Sequence, residues 1–141
     1  MSLLKQATVK EIAREIANGN TCYINRRSVK ITSIDHSIED PKKLATQAQT
    51  LNTLEREIEK YLKIEKLSAE DELRIMKDFP EELSDKSVRK QLSNALNRKN
   101  PVRNFMQVVE SEIGLNQHWK NFKAEEYQRR VSIIMVEAYI H

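Results

Sequence analysis

Only two glycines and three prolines punctuate the 141 residues of this chain. Tight reversals with positive φ fall mainly to glycine, and proline is confined to element ends, so a chain this poor in both must run in long regular elements. Each of the five sits where a helix begins or stops. Gly19 follows the apolar stripe Val9, Ile12, Ala13 and Ile16, at the left-handed position just past a helix over about 5–18. Gly114 stands in the same relation to Val102, Phe105, Met106, Val109 and Ile113, a helix that Asn100 can cap and Pro101 can open. Asp40-Pro41 repeats that start, and Pro80 ends a helix from Ser68, where Asp71 three residues on completes a capping box. Two more helices are expected at 85–98, with Val88, Leu92, Ala95 and Leu96 inward and Asp85 as cap, and at 115–140, with Trp119, Tyr127, Val131, Ile134, Met135 and Ala138 on one face.

The stretch "TCYINRRSVKITSI" has a different period. Cys22 and Ile24, then Val29 and Ile31, alternate around the polar connection Asn25-Arg26-Arg27-Ser28, which predicts a β-hairpin over about 21–34. A lone hairpin is marginal in water, so a third strand is required, and "YLKIEKL" at 61–67 can supply it with Leu62 and Ile64 on one side. Periodicity alone would equally carry the preceding helix into it, since Leu44, Leu51, Leu54, Ile58 and Tyr61 form a helical stripe; that helix is ended near Lys60. Leu51 and Ile58, like Leu54 and Tyr61, lie seven apart, but two heptads fall short of a coiled coil and suit packing within the chain. The expected fold is a single α+β domain over 1–141, a small antiparallel sheet followed by a predominantly helical C-terminal half.

At 39% hydrophobic and 32% charged residues, the chain can bury a core without staples. Its one cysteine, Cys22, has no partner for an intramolecular disulfide, and its start lacks the pattern of a secretory signal. The longest later apolar run, Ile133 to Val136, is far short of the roughly 18–20 residues that cross a bilayer. A cytoplasmic protein without a membrane span is expected.

Several chemistries are excluded by what is missing. Phosphate-cradling loops need clustered glycines, and Gly19 and Gly114 stand alone. The metal-ligand candidates Cys22, His36, His118 and His141 form no Cys-x-x-Cys or His-x-x-x-His pair, and Pro41 makes Asp40, four residues after His36, a helix cap. Cys22 in a strand reads as a small buried thiol. The pairs Glu81-Glu82 and Glu125-Glu126 point about 100° apart on a helix and suit a solvated surface. No catalytic, cofactor-binding or metal-binding residue set is expected.

Charge offers one positive lead. Residues 1–84 carry 14 Lys/Arg against 15 Asp/Glu, whereas residues 85–141 carry 10 against 6. In "HWKNFKAEEYQRR" (118–130), Trp119, Phe122, Tyr127 and Val131 share a sector that belongs in a core, and the cations are left over. Arg98, Lys99, Arg103, Lys120, Lys123, Arg129 and Arg130 are the candidate anion- or partner-binding patch. The expected function is a non-catalytic cytosolic interaction module acting through this basic half or through the edge of the small sheet. The alternative is a nucleic-acid-binding protein using the same cations, although its aromatics look buried rather than open for stacking bases.

Longer stretches carry a resemblance. "CYIN" at 22–25, "YLKIEKLSAEDELRIMKDF" at 61–79, "LSNALNRKNPVRNF" at 92–105 and "HWKNFKAEEY" at 118–127 are similar to an uncharacterised bacterial family, uncharacterised protein family zero-one-five-eight. The spaced set Met76, Phe79, Ala95, Leu96, Phe105, Trp119, Phe122 and Lys123 carries the likeness. The family pattern has a Thr-Gly hairpin turn, an aromatic at Val102 and a lysine at Met106, and this chain departs at all three. The resemblance implies a small soluble α+β protein with a strand at 61–67, and it brings no activity.

Overall fold

The structure, a computed structural model, describes residues 6–140, with side chains through 138. Among the described residues the order is α1 (Gln6–Ala17), β1 (Thr21–Asn25), β2 (Ile31–Ile34), α2 (Pro41–Arg56), β3 (Tyr61–Ile64), α3 (Ala69–Asp78), α4 (Lys86–Leu96), α5 (Pro101–Ser111) and α6 (Leu115–Ile140). This is an α+β chain with one three-stranded antiparallel sheet and a mostly helical C-terminal half. Its contacts divide it into two compact units, one made of residues through Lys66 together with those from Tyr127 onward, the other of Leu67–Glu126.

In the first unit the sheet has the order β2-β1-β3. Asn25 N–H donates to Lys30 O and Arg26 N–H to Lys60 O, so the odd residues of β1 bond toward β2 and the even ones toward β3. Side chains alternate between the two faces, and β1 is buried on both, from Thr21 to Ile24. Tyr23 and Ile34 join Leu54 of α2 in a core, with Leu51, Ile58 and Tyr61 packed against it. α1 packs on β1 and buries Val9, Ile12, Ala13 and Ile16. On α6, Tyr127, Val131 and Met135, four residues apart, are buried in turn.

Several boundaries moved for local reasons. The hairpin closes on Ile24 opposite Ile31, which leaves Val29 in the turn with φ 61 rather than in a strand. The Asn25 side chain fixes that turn by accepting from the N–H groups of Arg27 and Ser28 at 2.9 and 3.0 Å. α2 stops at Arg56, and a 3₁₀ turn over Ile58–Lys60 delivers the chain into β3. β3 ends at Ile64, opposite Cys22, three residues short of the expected 67.

In the second unit the caps explain the helices. Ser68 Oγ accepts from Asp71 N–H at 3.1 Å, and Asp85 accepts from Ser87 and Val88 N–H at 2.9 and 3.2 Å. Asn100 and Asp40 occupy cap positions, but neither side chain caps; Asn100 is instead left-handed with φ 55. Phe79 is the hub of the core, its ring centroid 5.2 Å from Trp119, 5.3 Å from Phe122 and 6.2 Å from Phe105, in edge-on or tilted geometry. Trp119 and Phe122 are 4% and 8% exposed, so the rings of the 118–130 segment face inward as the periodicity requires. The stripe on α5 is shorter than it reads. The helix ends at Ser111, Glu112 is extended and Gly114 takes φ 79, which leaves Ile113 in the reversal and fully exposed.

Candidate functional site

α4 and α5 are joined by the short segment 97–100 and pack on one another. Their inward faces hold Leu92, Ala95, Leu96, Phe105 and Val109. Beside that seam the sequence places Gln91, Asn94 and Arg98 on one helix and its C-terminal end, and Asn104, Gln107 and Ser111 on the other. Both triplets have the spacing i, i+3, i+7, which keeps each on a single helix face. The two faces line a groove of about 360 Å³ whose floor is Ala95 and Val108.

Four carboxamides, a hydroxyl and a guanidinium therefore converge, and no carboxylate lines the groove. Asn104 Nδ2 donates to Lys99 O at 2.7 Å and fastens the connection. Each carboxamide can donate and accept, whereas Arg98 only donates and always carries charge. The lining suits a ligand that brings acceptors and negative charge, such as a carboxylate, a phosphate or a nucleobase edge.

The sequence-predicted cations fall into two groups. Arg98, Lys99, Arg103, Lys120 and Lys123 belong to the second unit: Arg98 lines the groove, Lys99 and Arg103 flank the start of α5, and Lys120 and Lys123 lie on α6. Arg98, Lys99, Arg103 and Lys120 are exposed and form no ion pair among the described residues. Arg129 and Arg130 belong to the first unit. Reasoning from charge alone missed the carboxamides, although their repeated spacing on two helices was there to be seen.

Three further candidates, Cys22, His36 and His118, are placed among the described residues. Cys22 is a buried free thiol. Burial pushes it up to about 12, with Glu15 and Glu11 adding to the effect and the cross-strand Ser33 hydroxyl offsetting part of it. At neutral pH this favours the protonated thiol over the thiolate. His36 shares a 2.8 Å hydrogen bond with Thr21 Oγ1, and His118 packs edge-on against Phe79 at 5.3 Å. His141 lies outside the described residues. Among the described residues, no three His, Cys, Asp or Glu side chains converge to hold a metal, and no helix is long and apolar enough to cross a membrane.

The family model of the Uncharacterised protein family (UPF0158) matches residues 3–137. The chain belongs to that family. The match spans both units and takes in the whole α4–α5 hairpin. No curated protein and no solved structure matches the chain. Membership of UPF0158 therefore brings no activity with it, and a functional reading rests on the groove.

Proposed function

We propose that this member of UPF0158 is a non-catalytic interaction module that captures an acidic protein segment on the α4–α5 hairpin. The observation that carries this reading is the groove itself: four carboxamides and Arg98, with no carboxylate among them. Arg98, Lys99 and Arg103 attract the partner over a distance of about a Debye length, and the carboxamides fix its register by hydrogen bonding. No covalent step is involved. The cytoplasm is its place of action on this reading, supported by a lone buried thiol that needs no oxidising compartment.

A second reading, nucleic-acid binding, draws on the same residues, because Asn and Gln side chains pair with base edges while cations meet phosphates. The buried state of Trp119 and Phe122 weighs against it, since neither ring can stack a base.

One experiment separates them. Fluorescent hexaglutamate and single- and double-stranded oligonucleotides are each titrated with the protein at low and at physiological salt. Binding of hexaglutamate that weakens with salt, without retardation of the oligonucleotides, supports the first reading. Retardation of an oligonucleotide with no hexaglutamate binding replaces it with the second.

A further inference from the structure

A separate feature lies in the first unit, on the free side of the sheet. β2 is an edge strand, and the hydrogen-bond parity of β1 makes Thr32 and Ile34 face β1, so the backbone groups of Ile31, Ser33 and Asp35 point outward. Asp35 is already satisfied: its N–H donates to Gln47 Oε1 at 2.9 Å, and Gln47 Nε2 donates to its carbonyl at 3.0 Å. A carboxamide thus makes the two bonds that a neighbouring strand would make. The outward groups of Ile31 and Ser33 have no such partner among the described residues. Two residues two positions apart, each offering an N–H and a C=O, are the repeat an added strand uses.

Beside this edge runs a groove of about 490 Å³ between β2 and the first turns of α2. Ile38, half-buried, supplies its accessible apolar surface over the buried Ile34, Thr46 and Thr50 continue the far wall, and Lys42 and Lys43 stand along that wall with no ion pair among the described residues. The first turns of α2 stay exposed, with Leu44 44% open, although its stripe reads as buried.

We infer that the outer edge of β2 docks an extended segment of a partner protein, one that alternates apolar with acidic side chains. The segment pairs with Ile31 and Ser33, sets an apolar side chain against Ile38, and brings carboxylates to Lys42 and Lys43. Gln47 and the hairpin turn bound the site at its two ends, which limits pairing to this short stretch and discourages open-ended strand addition. This inference is independent of the α4–α5 groove and survives the failure of that reading.

The test uses a capped eight-residue peptide alternating valine with glutamate, and the same peptide N-methylated at every second amide. Binding is read by fluorescence anisotropy and by amide hydrogen exchange of the protein. The parent peptide is expected to bind and to slow exchange at Ile31 and Ser33, while N-methylation weakens binding by about tenfold or more, since it removes backbone donors. Ser33→Pro, which deletes an outward N–H and no bond to β1, weakens binding similarly, and Ser33→Ala does not. Lys42→Glu with Lys43→Glu turns the preference toward a valine-lysine peptide. Equal affinity for the N-methylated peptide, or absence of protection at Ile31 and Ser33, overturns the inference. So does protection that rises with protein concentration alone, which would put a second copy of this chain on the edge. The N-methylation comparison uses the unaltered protein and decides the matter even where Ser33→Pro fails to fold.

Discussion

Tyr23, 1% exposed in the central strand, donates a 2.6 Å hydrogen bond from its phenol to Glu55 Oε1 on α2, thirty-two residues away. The same oxygen receives the Lys63 ammonium from β3 at 3.4 Å, and that ammonium lies 5.7 Å over the Tyr23 ring. One carboxylate thereby ties β1, β3 and α2 together. The Tyr23 bond draws Glu55 below its ordinary 4.5, with Lys63 adding to it. Burial raises Tyr23 above its ordinary 10.0, and Glu55 adds to the shift. Burial alone would lower Lys63, but the neighbouring Tyr23 and Glu55 raise it above 10.5.

The signs give a stability profile. A depressed Glu55 contributes above its unfolded value and loses that contribution as pH falls through the acid range below about 4.5. Raised Tyr23 and Lys63 contribute fully below about 10 and lose it as pH climbs further. Tyr23→Phe is expected to lower the urea midpoint at pH 7 and to flatten both flanks of the midpoint-against-pH curve. Flanks unchanged from those of the parent protein would remove the cluster from the account.

Val29 carries a β-branched side chain at φ 61, a conformation that costs an L-residue about 1–2 kcal/mol. Val29→Gly relieves it, against the greater freedom glycine gives the unfolded chain. A net gain of up to about 1 kcal/mol in urea unfolding is expected. A loss of stability would mean that the half-buried valyl group contributes more through packing than its backbone costs.

Much of this fold was legible because its signals are local. Ser68 and Asp85 cap helices as their positions announce, Gly19 follows α1 with φ 89, and the rings of the 118–130 segment fall on the buried side of a 3.6-residue repeat. What was not legible depends on geometry away from the residue itself. Ile113 continues an apolar stripe by spacing, but the helix beneath it has already ended. Val29 alternates correctly with Ile31, but the Asn25 side chain draws the turn over it. At the candidate site, charge identified Arg98, Lys99 and Arg103. The groove beside them needs two helices placed side by side, and carboxamides have no hydropathy signal of their own.

Phe79 meets Phe105, His118, Trp119 and Phe122, so its truncation empties the centre of the second unit. Phe79→Ala is expected to cost about 3–5 kcal/mol, and Phe79→Leu, which keeps most of the volume, clearly less. Trp119, the chain's one tryptophan, reports this unfolding directly by fluorescence. A cost below about 1 kcal/mol for Phe79→Ala would contradict a core centred on that ring.

The first unit has its own reporter in Cys22, the chain's one cysteine. With the thiol pushed up to about 12 and closed off from solvent, native protein at pH 8 should resist iodoacetamide, and labelling should follow the denaturant dependence of unfolding. Rapid labelling without denaturant would mean that the sheet opens around β1.

The most direct test of the binding account is the NMR signal of the side-chain amides themselves. On titrating ¹⁵N-labelled protein with hexaglutamate, the carboxamide pairs of Gln91, Asn94, Asn104 and Gln107 should shift together, and Arg98→Glu with Lys99→Glu and Arg103→Glu should abolish the effect. Shifts confined to other residues, or identical shifts in the charge-reversed protein, would contradict a partner-binding groove on the α4–α5 hairpin.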